Sequence, residues 1–145
     1  MKLYSYSLKK TVVREFDSLT TSTPDAVAMV ARSVIDFDRD QEQVVAVYLN
    51  NHNEVIGTYV VSIGTLDASM VHPRDVFKSA VLSSAAAFVL VHNHPSESLK
   101  PSFADISVTK RFVDAGNMMG IPMFDHIIVT ENNFLSMKAE GLMKA

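Results

Sequence analysis

The hydrophobic rhythm of the chain changes several times, and each change marks an element. Val44-Val45-Ala46-Val47-Tyr48-Leu49 is an unbroken apolar run, the pattern of a strand buried on both faces. Asn50-Asn51-His52-Asn53 follows as a turn, rich in residues that tolerate left-handed backbone. Residues 55–63 read as a second strand, so 44–63 forms a hairpin. A third apolar run covers 86–91 and stops at His92, because Pro95 has no N–H to donate to further pairing. Strands are also expected over 123–130 and 134–138.

Helical spacing appears in three places. Thr23 is placed as an N-cap with Pro24 in the first helical position, and Val27, Val30, Ala31 and Val34 recur along one face. Gly64 breaks the second strand, and a loop leads to Pro73, which opens a helix over 74–85. The last helix runs from 103 to 119, ended by Gly120 with Pro122 just beyond. Residues 36–43 form a charged connection, 93–101 a polar loop, and 1–22 an N-terminal arm or edge strand. Helices and strands alternate without a strict βαβ rhythm, which gives an α/β class but no strand order.

Composition narrows the chemistry. At 145 residues the chain reads as a single domain, with 48% apolar and 20% charged residues. No apolar run is long enough to span a membrane, and the first residues lack the apolar stretch of a secretory signal. With no cysteine, the chain has no disulfide, no thiolate ligand and no thiol nucleophile, which fits a cytoplasmic protein. A net charge of −3 and the lack of any Lys/Arg cluster argue against charge-driven nucleic-acid binding. Any metal must therefore be held by histidine and carboxylate.

Those residue types are concentrated in one stretch. His92-Asn93-His94-Pro95 is followed after six residues by Ser102-Phe103-Ala104-Asp105. Histidines at i and i+2 face the same side of extended backbone. His92, His94 and Asp105 offer three ligands for one divalent metal and leave a fourth position for water, as catalytic zinc sites do. Taken alone, Ser102 and Asp105 read first as a variant capping box, and an isolated His-x-His pair as incidental. The other histidines are set aside. His72 precedes Pro73 and suits a cap or surface role, His52 lies in a turn, and His126 defaults to a satisfied core residue, with support of the metal ligands as a minority reading. The consecutive letters His-Asn-His do not make an HNH nuclease, whose residues are spread over a long ββα segment. Met118 and Met119 suit core filling at a helix end.

The full string resembles the JAMM motif, also called MPN+ or JAB, of zinc metalloproteases. Asn93 between the histidines is similar to the bacterial RadC-like subgroup. So are Gly64-Thr65-Leu66-Asp67-Ala68-Ser69, Val71-His72-Pro73-Arg74-Asp75-Val76-Phe77 and Asp125-His126-Ile127-Ile128. The resemblance runs from about residue 24 to 138. It implies a three-layer α/β/α fold around a curved mixed sheet, like cytidine deaminase. It implies one Zn2+ per chain on His92, His94 and Asp105, and a peptide or protein substrate cleaved at a peptide or isopeptide bond. It also implies an upstream glutamate as general base, placed at Glu42, 50 residues before His92. Without the resemblance Glu42 reads as a solvated charge; Glu54, in the hairpin turn, and Glu15, before the first helix, are the weaker competitors. Ser102 would donate to the tetrahedral oxyanion, in competition with its capping role.

Two features depart from the subgroup. Glu97-Ser98 stand where Gly-Asp is usual, and no helix-hairpin-helix module is matched within these residues. A DNA repair or anti-restriction accessory role and a non-catalytic protein-interaction domain are the competing expectations. Oligomeric state is not legible.

Overall fold

The computed structural model describes residues 1–12, 15, 22–64 and 71–143. Among the described residues five strands form one mixed sheet: β1 (Gln43–Leu49), β2 (Val55–Ile63), β3 (Ala87–Asn93), β4 (Met123–Val129) and β5 (Phe134–Ser136). Three helices among the described residues accompany it: α1 (Pro24–Arg32), α2 (Pro73–Leu82) and α3 (Phe103–Met119). The strand order is β2-β1-β3-β4-β5. Only β3 and β4 are parallel, joined by α3 as the crossover; the other neighbours are antiparallel. Among the described residues no helix is long and apolar enough to cross a membrane.

The two apolar runs read as doubly buried strands occupy the middle of the sheet, and every residue of β1 and β3 is buried. Side-chain alternation divides them between two cores. Val44, Ala46, Tyr48, Phe88 and Leu90 pack with Val76, Phe77 and Ala80 of α2 and with Val108 and Phe112 of α3. Val45, Val47, Leu49, Val89 and Val91 pack with Val27, Ala28, Val30 and Ala31 of α1. The sheet is thus covered by α1 on one face and by α2 and α3 on the other. Edge-to-face contacts join Phe77, Phe88 and Phe112, with centroids 5.3 and 6.3 Å apart. Such pairs add about 0.5–1.5 kcal/mol each beyond area burial.

Several ends differ from the sequence expectation. β3 does not stop at His92 but runs through Asn93, because β4 supplies partners in Ile128 and Val129. Gln43 belongs to β1 and is buried, not part of a charged connection. α2 ends at Leu82, short of 85; Ser83 caps it, and Ser84 turns the chain with a φ of 56°. Residues 1–12 are exposed and carry no strand. The rest of the expected arm, 13–14 and 16–21, lies outside the described residues, as do 65–70 of the loop after Gly64.

The positioning of α3 depends on one close approach. Gly116 sits where a Cβ would lie 2.7 Å from the Ile121 carbonyl oxygen and 3.1 Å from the Met123 amide nitrogen. Both neighbours are backbone at the entry to β4, so neither can swing aside. Gly116→Ala should therefore destabilise the protein by about 1–3 kcal/mol through overpacking. That is the opposite sign to the roughly 1 kcal/mol gain expected from helix propensity. A denaturant midpoint at or above wild type would show that α3 does not seat this closely.

Candidate metal centre

The regular alternation of β3 places His92 on the same face as Phe88 and Leu90, which is the face that α3 covers. His94 follows two residues later, where its backbone N–H still donates to Val129 at 3.2 Å. The two rings meet with centroids 4.8 Å apart. α3 begins directly above them. Ser102 is its N-cap, and the capping box is complete: the Asp105 N–H donates to Ser102 Oγ at 3.1 Å, and the Ser102 N–H donates to Asp105 Oδ2 at 2.7 Å. The reciprocal bond fixes the Asp105 carboxylate over the end of the sheet. The sequence expectation treated capping and metal ligation by Asp105 as rivals, whereas the geometry lets one carboxylate serve both.

The three groups converge closely. His92 Nε2 lies 3.0 Å from Asp105 Oδ1, His94 Nε2 lies 3.2 Å from Asp105 Oδ2, and the two Nε2 atoms are 3.0 Å apart. One ligand atom from each residue falls within 4.8 Å of the others. His94 Nδ1 is 2.7 Å from the Ser98 carbonyl oxygen. A carbonyl only accepts, so Nδ1 carries a proton and the neutral ring aims the lone pair of Nε2 at a carboxylate. A lone pair and a carboxylate cannot share a buried space without a cation between them.

A proton can fill that need. Hydrogen bonding to Asp105 raises the pKa of His94 against the opposing effect of burial, helped by the Ser98 carbonyl and by the charges of Asp105 and Glu42. Burial pushes Asp105 upward, but the hydrogen bonds from His92, His94 and the Ser102 N–H outweigh it and hold the carboxyl well below its ordinary range. A metal fits equally well. Tetrahedral bonds of about 2.0–2.1 Å would set ligand atoms roughly 3.3 Å apart, within a few tenths of an ångström of the contacts seen. Two imidazoles and a carboxylate are also a donor set suited to zinc.

Asn93, between the two histidines, points the other way and grips the neighbouring segment. Its Oδ1 accepts from the Gln43 N–H at 2.7 Å, and its Nδ2 donates to the Gln41 carbonyl at 3.3 Å. Glu42 lies between those two clamped residues, and its own carbonyl accepts from the Gly64 N–H at 2.7 Å. Val44 pairs with His92 in the antiparallel ladder. Continuing that register carries Glu42 to the level of His94, consistent with its charge acting on the His94 imidazole. Glu42 is half-buried.

The remaining candidates fall elsewhere. Glu54 accepts from Asn50 Nδ2 at 2.8 Å in the β1–β2 turn, at the opposite end of β1 from the histidines. Glu15 and His52 are exposed. His72 caps α2, its Nδ1 accepting from the Arg74 N–H at 3.1 Å.

His126 is expected from the sequence as a satisfied core histidine, with support of the metal ligands as a minority reading. It is fully buried, and its Nε2 lies 2.8 Å from His92 Nδ1. Its Nδ1 lies 2.5 Å from Thr109 Oγ1, and the Thr109 hydroxyl donates to the Asp105 carbonyl at 2.7 Å. Burial pushes the His126 pKa well below its ordinary value, and the neighbouring His92 adds to that. Its place on the α3 face depends on an irregularity in β4. Phe88 pairs with Met123 but Val89 pairs with Asp125, so one residue of β4 is skipped. The skip brings His126 opposite Leu90, on the α3 side; uninterrupted alternation would send it to the α1 side. Neither Thr109 nor the skipped residue has a signal in the sequence pattern.

Known proteins are similar to this chain over most of its length. Residues 20–142 match the family model described as the RadC-like JAB domain. A "UPF0758 protein" of Desulforamulus reducens is 46% identical over 119 residues, covering 82% of this chain and 52% of the relative. Another, of Desulforudis audaxviator, is 48% identical over 124 residues, covering 85% and 53%. A third, of Latilactobacillus sakei, is 50% identical over 103 residues, covering 71% and 46%. The chain thus spans about half the length of these relatives. The match embraces all five strands, all three helices and every residue of the His-His-Asp cluster, and by it the chain belongs to the RadC-like JAB domain family.

Proposed function

We propose that this chain is a metal-dependent hydrolase, with zinc held by His92, His94 and Asp105, that cleaves a peptide or isopeptide bond. The observation that carries the reading is the buried convergence of two imidazoles and a carboxylate around a space that needs a cation, with Glu42 clamped beside it. When bound, the metal supplies Lewis acidity: it lowers the pKa of a water and polarises the scissile carbonyl. The Glu42 carboxylate accepts the proton of the attacking water and returns it to the leaving amine. Asn93 keeps Glu42 in register with His94 by holding the residues on either side of it. Ser102 Oγ accepts the Asp105 N–H through a lone pair, so its own hydroxyl proton stays available to an oxyanion. Asp105 cannot drift from the cluster while the capping box is intact.

The expected metal content is one zinc per chain by elemental analysis, lost in His92→Ala and Asp105→Asn. Removing the metal with a chelator should lower the melting temperature. At free metal near a hundredfold its dissociation constant the stabilisation is about 2.7 kcal/mol. A chain that binds no metal at its purified stoichiometry, and melts alike with and without chelator, contradicts the proposal.

Glu42→Gln should retain the metal and lose about 10²–10⁴ in hydrolysis of a peptide or isopeptide substrate. Loss of metal in that variant would move Glu42 from base to ligand, and unchanged hydrolysis would call for another base. The two roles of Ser102 separate by comparing two substitutions. Ser102→Ala should cost about 1 kcal/mol of stability, whereas Ser102→Gly should cost only a few tenths. Both should lose roughly 10²–10³ in turnover, because neither has the hydroxyl. Turnover that follows stability would leave capping as the only role of Ser102.

A further inference from the structure

A histidine that binds metal through Nε2 must carry its proton on Nδ1. A neutral imidazole in water distributes that proton between both nitrogens, so a ready ligand needs a partner that settles the choice. For His94 the Ser98 carbonyl does this directly. His92 has no carbonyl at Nδ1; it faces the bare ring of His126 at 2.8 Å, and two facing imidazole nitrogens do not by themselves say which one donates.

The direction is set from the far end. The Asp105 carbonyl, 2.7 Å from Thr109 Oγ1, can only accept, so the hydroxyl proton points to it. The other atom near that hydroxyl, Met137 Sδ at 3.5 Å, also only accepts and leaves the direction unchanged. With its single proton committed, Thr109 Oγ1 must accept from His126 Nδ1 at 2.5 Å. A neutral His126 protonated on Nδ1 has a lone pair on Nε2, which must accept from His92 Nδ1. His92 Nε2 is then the nitrogen left for the cation shared with Asp105 and His94.

We propose that His126, oriented by Thr109, is a positioning residue that fixes His92 in the Nδ1–H form able to ligate metal through Nε2. The inference depends on the metal reading above. Metal-bound histidines commonly donate to a carboxylate, a backbone carbonyl or water. Here the acceptor is a second, neutral imidazole. The relay closes on itself, since it starts at one ligand, His92, and ends on the backbone of another, Asp105. It joins β3, β4 and the first two turns of α3, with Asp105 and Thr109 four residues apart on one helix face.

The test uses the full chain and reads the proton position directly. In metal-free protein at alkaline pH, long-range proton–nitrogen NMR should show His92 carrying a proton on Nδ1. Thr109→Val removes the hydroxyl at nearly constant volume. It should spread the His92 proton over both nitrogens and weaken zinc binding, measured against a competing chelator, by about 10–100-fold. Thr109→Ser should restore both readouts, which a loss of packing alone would not allow. His126→Phe should weaken zinc at least as much; where it fails to fold, the Thr109 pair still decides. A wild-type His92 with no proton on Nδ1, or a folded Thr109→Val chain that binds zinc like wild type, overturns the inference and leaves the metal site standing. A wild-type chain that takes up no zinc overturns the metal site, and this inference with it.

Discussion

The burial of the Asp105 carboxylate is the constraint on which the rest depends. Only 1% of the residue is exposed, and a buried carboxylate is tolerated only when charge and hydrogen bonds surround it. Its partners come from two parts of the chain: the Ser102 N–H closes the N-terminus of α3, and His92 and His94 close the end of β3. The helix start also contributes its positive end to the carboxylate. The first turn of α3 and the last residues of β3 are therefore a single electrostatic unit. Neither can move without exposing a lone pair or a charge to a partnerless interior.

That unit is only as good as the faces from which it is built. β3 reaches it by plain alternation, with Phe88, Leu90 and His92 on the α3 side. β4 reaches it by an irregularity, and Asp125 pins the strand at that place. One of its carboxylate oxygens accepts from the His126 and Lys138 N–H groups and the other from the Ser136 hydroxyl. Burial raises the pKa of Asp125 against those bonds, and the cost is accepted where the strand must be held out of its ordinary phase. The local twist that a bulge introduces is thus used to bring a third histidine under the first two.

What was legible in the sequence follows from how local each signal is. Pro24 before α1, Gly120 after α3 and the apolar runs of β1 and β3 act within a few residues, and the elements they announce are found. The His92, His94 and Asp105 cluster was legible because all three lie within one strand–loop–helix passage. The far end of β3 was misjudged because Pro95 is a local stop, while the pairing that extends the strand comes from Ile128 and Val129. Glu42 was reachable only through resemblance, since the bonds that hold its segment join residues 50 and 52 apart in sequence. His126 was legible as a satisfied core histidine, but its place beside His92 was not, because a period of two gives the wrong face once a strand skips a residue.

Three consecutive residues show how economically a strand end can carry a site. Alternation sends His92 and His94 to the side of α3 and Asn93 to the side of the Glu42 segment. The spacing that makes two imidazoles converge also forces the residue between them to face away from the cluster. A side chain there is useless as a ligand but well placed to hold a neighbouring strand. Asn93 can do so because its amide offers an acceptor for the Gln43 N–H and a donor for the Gln41 carbonyl at once. A serine hydroxyl also donates and accepts, but from a single atom with a shorter reach, so replacing Asn93 by Ser would have to leave one of these two separated bonds to water. The register between the ligands and Glu42 is then a property of the middle residue of the His-Asn-His triplet, and the triplet works as a unit of two ligands and one clamp.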